Sequence, residues 1–122
     1  MKSRAPLLAL TLFVRDLDRS AAFFAALGFH CEPCPEDRDR AVEVVVGNIH
    51  APLLQLFTAN DTCPPTRCQL VFQVPDMVPV AKALDAHRFD WDCRRFSSLV
   101  TRDPDGNTVF LHELDSHEET IT

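Results

Sequence analysis

Only three of the 122 residues are glycine, and tyrosine is missing altogether. Loops that cradle phosphates with backbone N–H groups are built from several closely spaced glycines, so a nucleotide-binding loop of that kind is excluded. Positive charge is also scarce: twelve Lys and Arg stand against eighteen Asp and Glu, a net charge of -6. A broad nucleic-acid surface needs clustered positive charge, and this balance argues against one. Four of the acids, Glu113, Asp115, Glu118 and Glu119, fall in a terminal stretch without a base, so the rest of the chain is nearly neutral. No apolar run approaches the roughly 18 residues of a membrane span, and the N-terminal stretch meets Arg15 and Asp16 with no signal-cleavage pattern before them. The expectation is a cytoplasmic protein without membrane or nucleic-acid partners. Five cysteines, an odd count, at 31, 34, 63, 68 and 93 point to reduced thiols rather than a disulfide framework.

What is present is the balance of an ordinary globular domain, 46% apolar and 25% charged. A chain of this length buries roughly two thirds of the surface it exposes when unfolded, so a core needs no staples. Residues 7–14, LLALTLFV, read as a strand, and RDLDRSAAFFAALG reads as a helix stopped at Gly28. Then come a short strand in GFHCEP and two β-rich runs, AVEVVVG and PLLQLFTA, joined through a Gly-Asn turn signal. After the loop-like NDTCPPTR, the same grammar returns. CQLVFQV is a strand, Pro75 and Asp76 open a helix with Pro79 in its first turn, and three strand candidates follow in FDWDCRRF, SLVTRD and NTVFLHEL.

Displacing the chain by 60 residues pairs Leu10 with Leu70, Val14 with Val74, Asp16 with Asp76, Ala21 with Ala81, Ala26 with Ala86 and Phe29 with Phe89. The matches fall on one pattern: an apolar strand ending in Val-x-Asp, a helix, then a Phe that opens the next strand. This favours an internal duplication, with repeats at about 7–59 and 67–114 in a single domain spanning 1–122, and a polar tail at 115–122.

The motif LTLFVRDLDRSAAFFAALGF (10–29), followed by TRDPDGNTVFLHE (101–113), resembles the vicinal oxygen chelate superfamily of glyoxalases, extradiol dioxygenases and bleomycin-resistance proteins. The resemblance implies an α+β fold of two βαβββ modules forming a curled open barrel of mixed sheet, with helices on the convex face. It also implies a homodimer. In metal-dependent members, His, Glu or Gln ligands come from the first and last strand of each module. Carried onto this sequence, those positions are Ala9, Gln55, Gln69 and Phe110. Two neutral amides beside an alanine and a phenylalanine fall short of a divalent-metal site, so the expectation is no metal and no other cofactor. The bleomycin-resistance-like branch shows the same departure and sequesters its ligand without bond-breaking chemistry.

Residues two apart on a strand share a face. With the four ligand positions facing inward, Thr11, Phe13, Phe57, Val71 and His112 join Ala9, Gln55, Gln69 and Phe110 in one candidate pocket for a small organic ligand. Leu53, Gln73 and Thr108 fall on the same faces. The three phenylalanines fit a packed barrel equally well, but two inward amides call for partners. His112 and Glu113 are adjacent on one strand and should point to opposite faces. No catalytic residue is assigned, because no nucleophile or orienting carboxylate stands at a recognisable spacing from His112. The alternatives are an enzyme recruiting metal through His50 or His112, a closed scaffold, and a structural zinc held by Cys31, Cys34, Cys63 and Cys68. The leading expectation is a metal-independent small-molecule-binding protein, plausible as an antibiotic-sequestering one.

Overall fold

The computed structural model describes residues 8–34, 41–45, 53–95 and 98–114, and the chain divides into two compact units, 1–66 and 67–122. His50 and the polar tail at 115–122 lie outside the described residues. The first unit runs β1 (Ala9–Val14), α1 (Leu17–Ala26), β2 (His30–Pro33), β3 (Ala41–Val45) and β4 (Leu53–Thr58). The second repeats the order as β5 (Gln69–Val74), α2 (Met77–Ala86), β6 (Trp91–Arg95), β7 (Ser98–Arg102) and β8 (Thr108–Glu113). Among the described residues each unit therefore holds one helix and one four-stranded sheet, in the spatial orders β1-β4-β3-β2 and β5-β8-β7-β6. In each sheet the first and last strands pair in parallel and the other neighbours pair antiparallel, so both sheets are mixed. The two βαβββ repeats expected from the sequence are present, and β5 and α2 lie 60 residues beyond β1 and α1.

The helices begin for the same local reason. Asp16 caps α1 by accepting from the Arg19 N–H, and Asp76 caps α2 by accepting from the Val78 N–H. These carboxylates satisfy backbone donors that a helix start leaves orphaned, and they complement the positive end of its dipole. Pro79 is accommodated because the N–H it lacks has no partner in a first turn. At the other end, the repeats diverge. Gly28 follows α1 with φ +102°, the left-handed region glycine enters freely, whereas Arg88 adopts φ +62° at the equivalent place after α2. A side chain there costs roughly 1–2 kcal/mol.

One face of each sheet packs on its helix. In the first unit, Ser20, Phe23, Phe24 and Leu27 form an i, i+3, i+4, i+7 stripe, all of it buried, and α1 lies against β2, β3 and β4. Phe23 and Phe24 meet edge to face at 5.1 Å between ring centroids, and Leu12, Val14, Val42, Val44, Leu54 and Leu56 are buried on the strands. In the second unit Leu84 and Val80 of α2 are buried, as are Leu70, Val74, Leu99, Val109 and Leu111. The helix start is tied to the sheet by Glu113, whose carboxylate accepts from the Met77 N–H at 2.9 Å.

The Ser20 hydroxyl is an exception within this apolar stripe, since it is fully buried with no hydrogen-bond partner among the described residues. Replacing Ser20 with alanine should stabilise the chain by about 0.5–1.5 kcal/mol, because it removes a desolvated donor and improves helix propensity. A urea midpoint that stays put or falls would show that the hydroxyl contributes favourably.

Candidate functional site

The DPDGN segment is built as a clip. Asp103 is only 4% exposed, and its carboxylate accepts from the Asp105 N–H at 3.0 Å, the Asn107 N–H at 2.7 Å and the Asn107 side-chain amide at 2.9 Å. Gly106 takes φ +89° to let the chain reverse. Asn107 in turn accepts the Cys68 N–H at 2.8 Å, fastening the turn to the residue that precedes β5. Burial pushes the Asp103 carboxyl above its ordinary range and the charge of Asp105 adds to the rise, while the hydrogen bonds from Asn107 and from the Asp105 N–H act in the opposite direction. The most recognisable motif in the sequence thus performs structural work. Burial also raises the neighbouring Cys68 thiol, helped by Asp103, and burial alone raises that of Cys31. All five cysteines are free thiols.

The residues selected by strand alternation fall on the sheet faces turned away from the helices. In the first unit these are Ala9, Thr11 and Phe13 on β1 with Gln55 and Phe57 on β4. Parallel register sets Thr11 beside Gln55 and Phe13 beside Phe57. The two rings lie 6.1 Å apart in a tilted pair, both half-buried, and the Thr11 hydroxyl donates to the Gln55 amide oxygen at 3.2 Å. The Thr11 row continues through Glu43 to Glu32, which gives this face an acidic side.

In the second unit, Gln69 and Val71 on β5 share the outward face with Phe110 and His112 on β8. Val71 stands directly beside Phe110, while Gln69 stands beside Thr108. Gln69 is exposed, so it lacks the buried amide's demand for a partner that the sequence reading attached to it. His112 and Glu113 do point to opposite faces: Glu113 reaches α2, and His112 Nδ1 shares a 2.7 Å hydrogen bond with Ser98 Oγ. This bond orients the ring without supplying an orienting carboxylate.

The side chains at the metal-ligand positions do not fit a divalent cation. Ala9 and Phe110 offer no donor, the Gln55 amide oxygen already accepts from Thr11, and Gln69 is a lone neutral amide. Among the described residues no group of three or more His, Cys, Asp or Glu side chains is arranged to hold a metal ion.

A basin of about 690 Å³ opens on the second unit, lined by Arg88, Phe89, Asp90, Trp91, Asp92, Arg94, Val100, Thr101, Arg102, Asp103, Thr108 and Phe110. Only Phe110 belongs to the nine candidate pocket residues, and Thr108 had been placed on the same face. The others come from the α2–β6 loop, β6, β7 and, in Asp103, the β7–β8 turn. Alternation could have found part of this wall, because antiparallel register puts Asp92, Val100 and Phe110 in one row across β6, β7 and β8 and sets Arg102 beside Thr108. The wall is held in place. Phe89 N–H donates to the Leu84 carbonyl at 2.8 Å, the Thr101 hydroxyl donates to the Asp90 carbonyl, and the Trp91 indole N–H donates to Asp85 at 2.8 Å.

The sequence matches no protein-family model and no curated protein. Its fold does have counterparts among solved structures. TnmS3, an antibiotic binding protein from Streptomyces sp. CB03234, superimposes with a TM-score of 0.70 at 18% identity, over 94% of this chain and 100% of its own. The trypanothione-dependent glyoxalase I of Leishmania major gives 0.69 at 21% identity, over 97% of this chain and 93% of its own. A glyoxalase/bleomycin resistance protein, also from Streptomyces sp. CB03234, gives 0.65 at 20% identity, over 88% and 100%. At these identities the likeness establishes the fold, the two βαβββ modules that this chain shares with an antibiotic binding protein, a glyoxalase I and a glyoxalase/bleomycin resistance protein.

Proposed function

We propose that this chain is a small-molecule-binding protein that uses the glyoxalase/bleomycin-resistance fold without a metal, and that its role is to sequester an organic ligand of the antibiotic kind. The observation that carries this reading is the residue set at the four family ligand positions, Ala9, Gln55, Gln69 and Phe110, where a methyl group and an aromatic ring take the place of two donors and only two neutral amides are left. Phe110 is half-buried beside the exposed Val71 and lines the basin, an arrangement suited to holding a flat apolar body by burial and stacking. The antibiotic-binding role of TnmS3 supports the same direction by analogy of fold. The homodimer and the cytoplasmic location belong to this proposal.

A thermal-shift screen of aromatic antibiotics and related compounds tests it, because a ligand selective for the native state raises the unfolding temperature by mass action. At least one compound should stabilise the protein in metal-free buffer, and Phe110→Ala should weaken that compound's binding by about tenfold or more. Binding that appears only after a divalent metal is added, or no binding across the screen, overturns the reading.

A further inference from the structure

Three of the chain's twelve basic residues, Arg88, Arg94 and Arg102, line the basin of the second unit. Three carboxylates line it too, but they are not equivalent. Asp103 is buried and accepts three hydrogen bonds within its own turn. Asp90 and Asp92 are exposed, so the lining is formally neutral while presenting three guanidinium groups and two carboxylates to a ligand. Among the described residues, no ion pair to Arg88, Arg94 or Arg102 is formed. That balance is local, since the chain as a whole carries -6 and the outward face of the first unit presents Glu32 and Glu43. Val100 and Phe110, neighbours across β7 and β8, add apolar side chains to the same lining.

Arg88 adds an independent observation. It holds φ +62° where the first repeat has Gly28, so the chain keeps a strained residue at a position its own duplicate fills with the unstrained one. Strained backbone is concentrated at ligand sites, where a side chain's placement outweighs its conformational cost. Here that side chain is a guanidinium on the basin wall.

Building on the small-molecule reading above, we propose that the basin takes a planar aromatic acid, with its ring against Val100 and Phe110 and its anionic group held by Arg88, Arg94 and Arg102. Guanidinium groups match carboxylate geometry with paired N–H donors, and the half-buried Val100 and Phe110 offer a ring apolar surface.

Titration calorimetry with three probes of one ring system tests this: 2-naphthoate, neutral 2-naphthalenemethanol and 2-naphthylmethylammonium. The anion should bind at least tenfold more tightly than the other two, with affinity falling as salt is raised. Arg102→Gln and Arg94→Gln, both exposed substitutions, should each lower naphthoate affinity by about tenfold without lowering the unfolding temperature. Arg88→Gly should weaken binding while raising the unfolding temperature, a split that a purely structural arginine would not produce. Equal or tighter binding of the neutral or cationic probe overturns the anionic preference and leaves the small-molecule reading standing. Failure of all three probes also overturns this proposal, and the broader ligand screen then judges the general reading on its own.

Discussion

An Asp103→Ala chain is expected to lose about 3–5 kcal/mol of stability, read as a lower urea midpoint. Alanine would leave the Asp105 N–H, the Asn107 N–H and the Asn107 amide without their acceptor, and it would free the side chain that holds the Cys68 N–H. Relief of the buried carboxylate's desolvation offsets part of this loss and cannot replace three acceptor contacts. An unchanged midpoint would show that the clip contributes nothing to the fold.

Asp103→Asn separates geometry from charge. Asparagine keeps one oxygen for the two backbone donors but turns an N–H toward the Asn107 amide, whose own oxygen is committed to Cys68. The sign of the pH effect follows from the raised carboxyl. Below its ordinary value of 3.8 the group is protonated in both folded and unfolded chains, and above the raised value it is ionised in both. Between the two the folded chain binds more protons, so the wild-type contribution of this group falls as pH rises. The wild-type advantage over Asp103→Asn should therefore shrink across that window and level off above it. An advantage that grows with pH there would mean that hydrogen bonding has lowered the carboxyl instead.

The second large effect is expected in the first unit's core. Phe24→Ala should cost about 3–5 kcal/mol, since it removes a fully buried ring and its edge-to-face partner contact with Phe23. Phe24→Leu refills much of that volume and should cost about half as much. Equal losses for the two variants would point to the ring pair, rather than the filled volume, as the source of the stability. A loss below about 1 kcal/mol in Phe24→Ala would show that α1 repacks freely on its sheet.

Much of the fold was legible because local signals and long-range pattern agreed. Asp16 and Asp76 mark helix starts by the same capping chemistry, and the 60-residue offset relates both the first strands and the helices. The end of α2 was harder to read, because Arg88 stands where a glycine would have announced the turn. For the site, period-two alternation assigned residues to faces on β1, β4, β5 and β8. It could not show which strands flank a cavity, since that depends on the order β5-β8-β7-β6 and on the loop from α2 returning to β6. Arg94 was further concealed by the register shift between Cys93 and Arg95, which interrupts simple alternation on β6. For Gln69 alternation gives the face but not the exposure, which leaves its amide open to water.

The parallel pairing that closes each sheet also bears on how the chain folds. Thr11 and Gln55 are 44 residues apart in sequence yet adjacent in register, and Val71 meets Phe110 across a comparable separation. Each sheet is completed only when a long loop closes, and that entropy must be met before the contacts reward it. The two loops are so similar in length that topology sets no order between the halves. Until closure, β4 and β8 have hairpin partners on one side and bare backbone on the other, displaying the apolar runs LLQLF and TVFL to any neighbouring chain. Slow synthesis at low temperature gives that edge time to find its own first strand before it meets another molecule's.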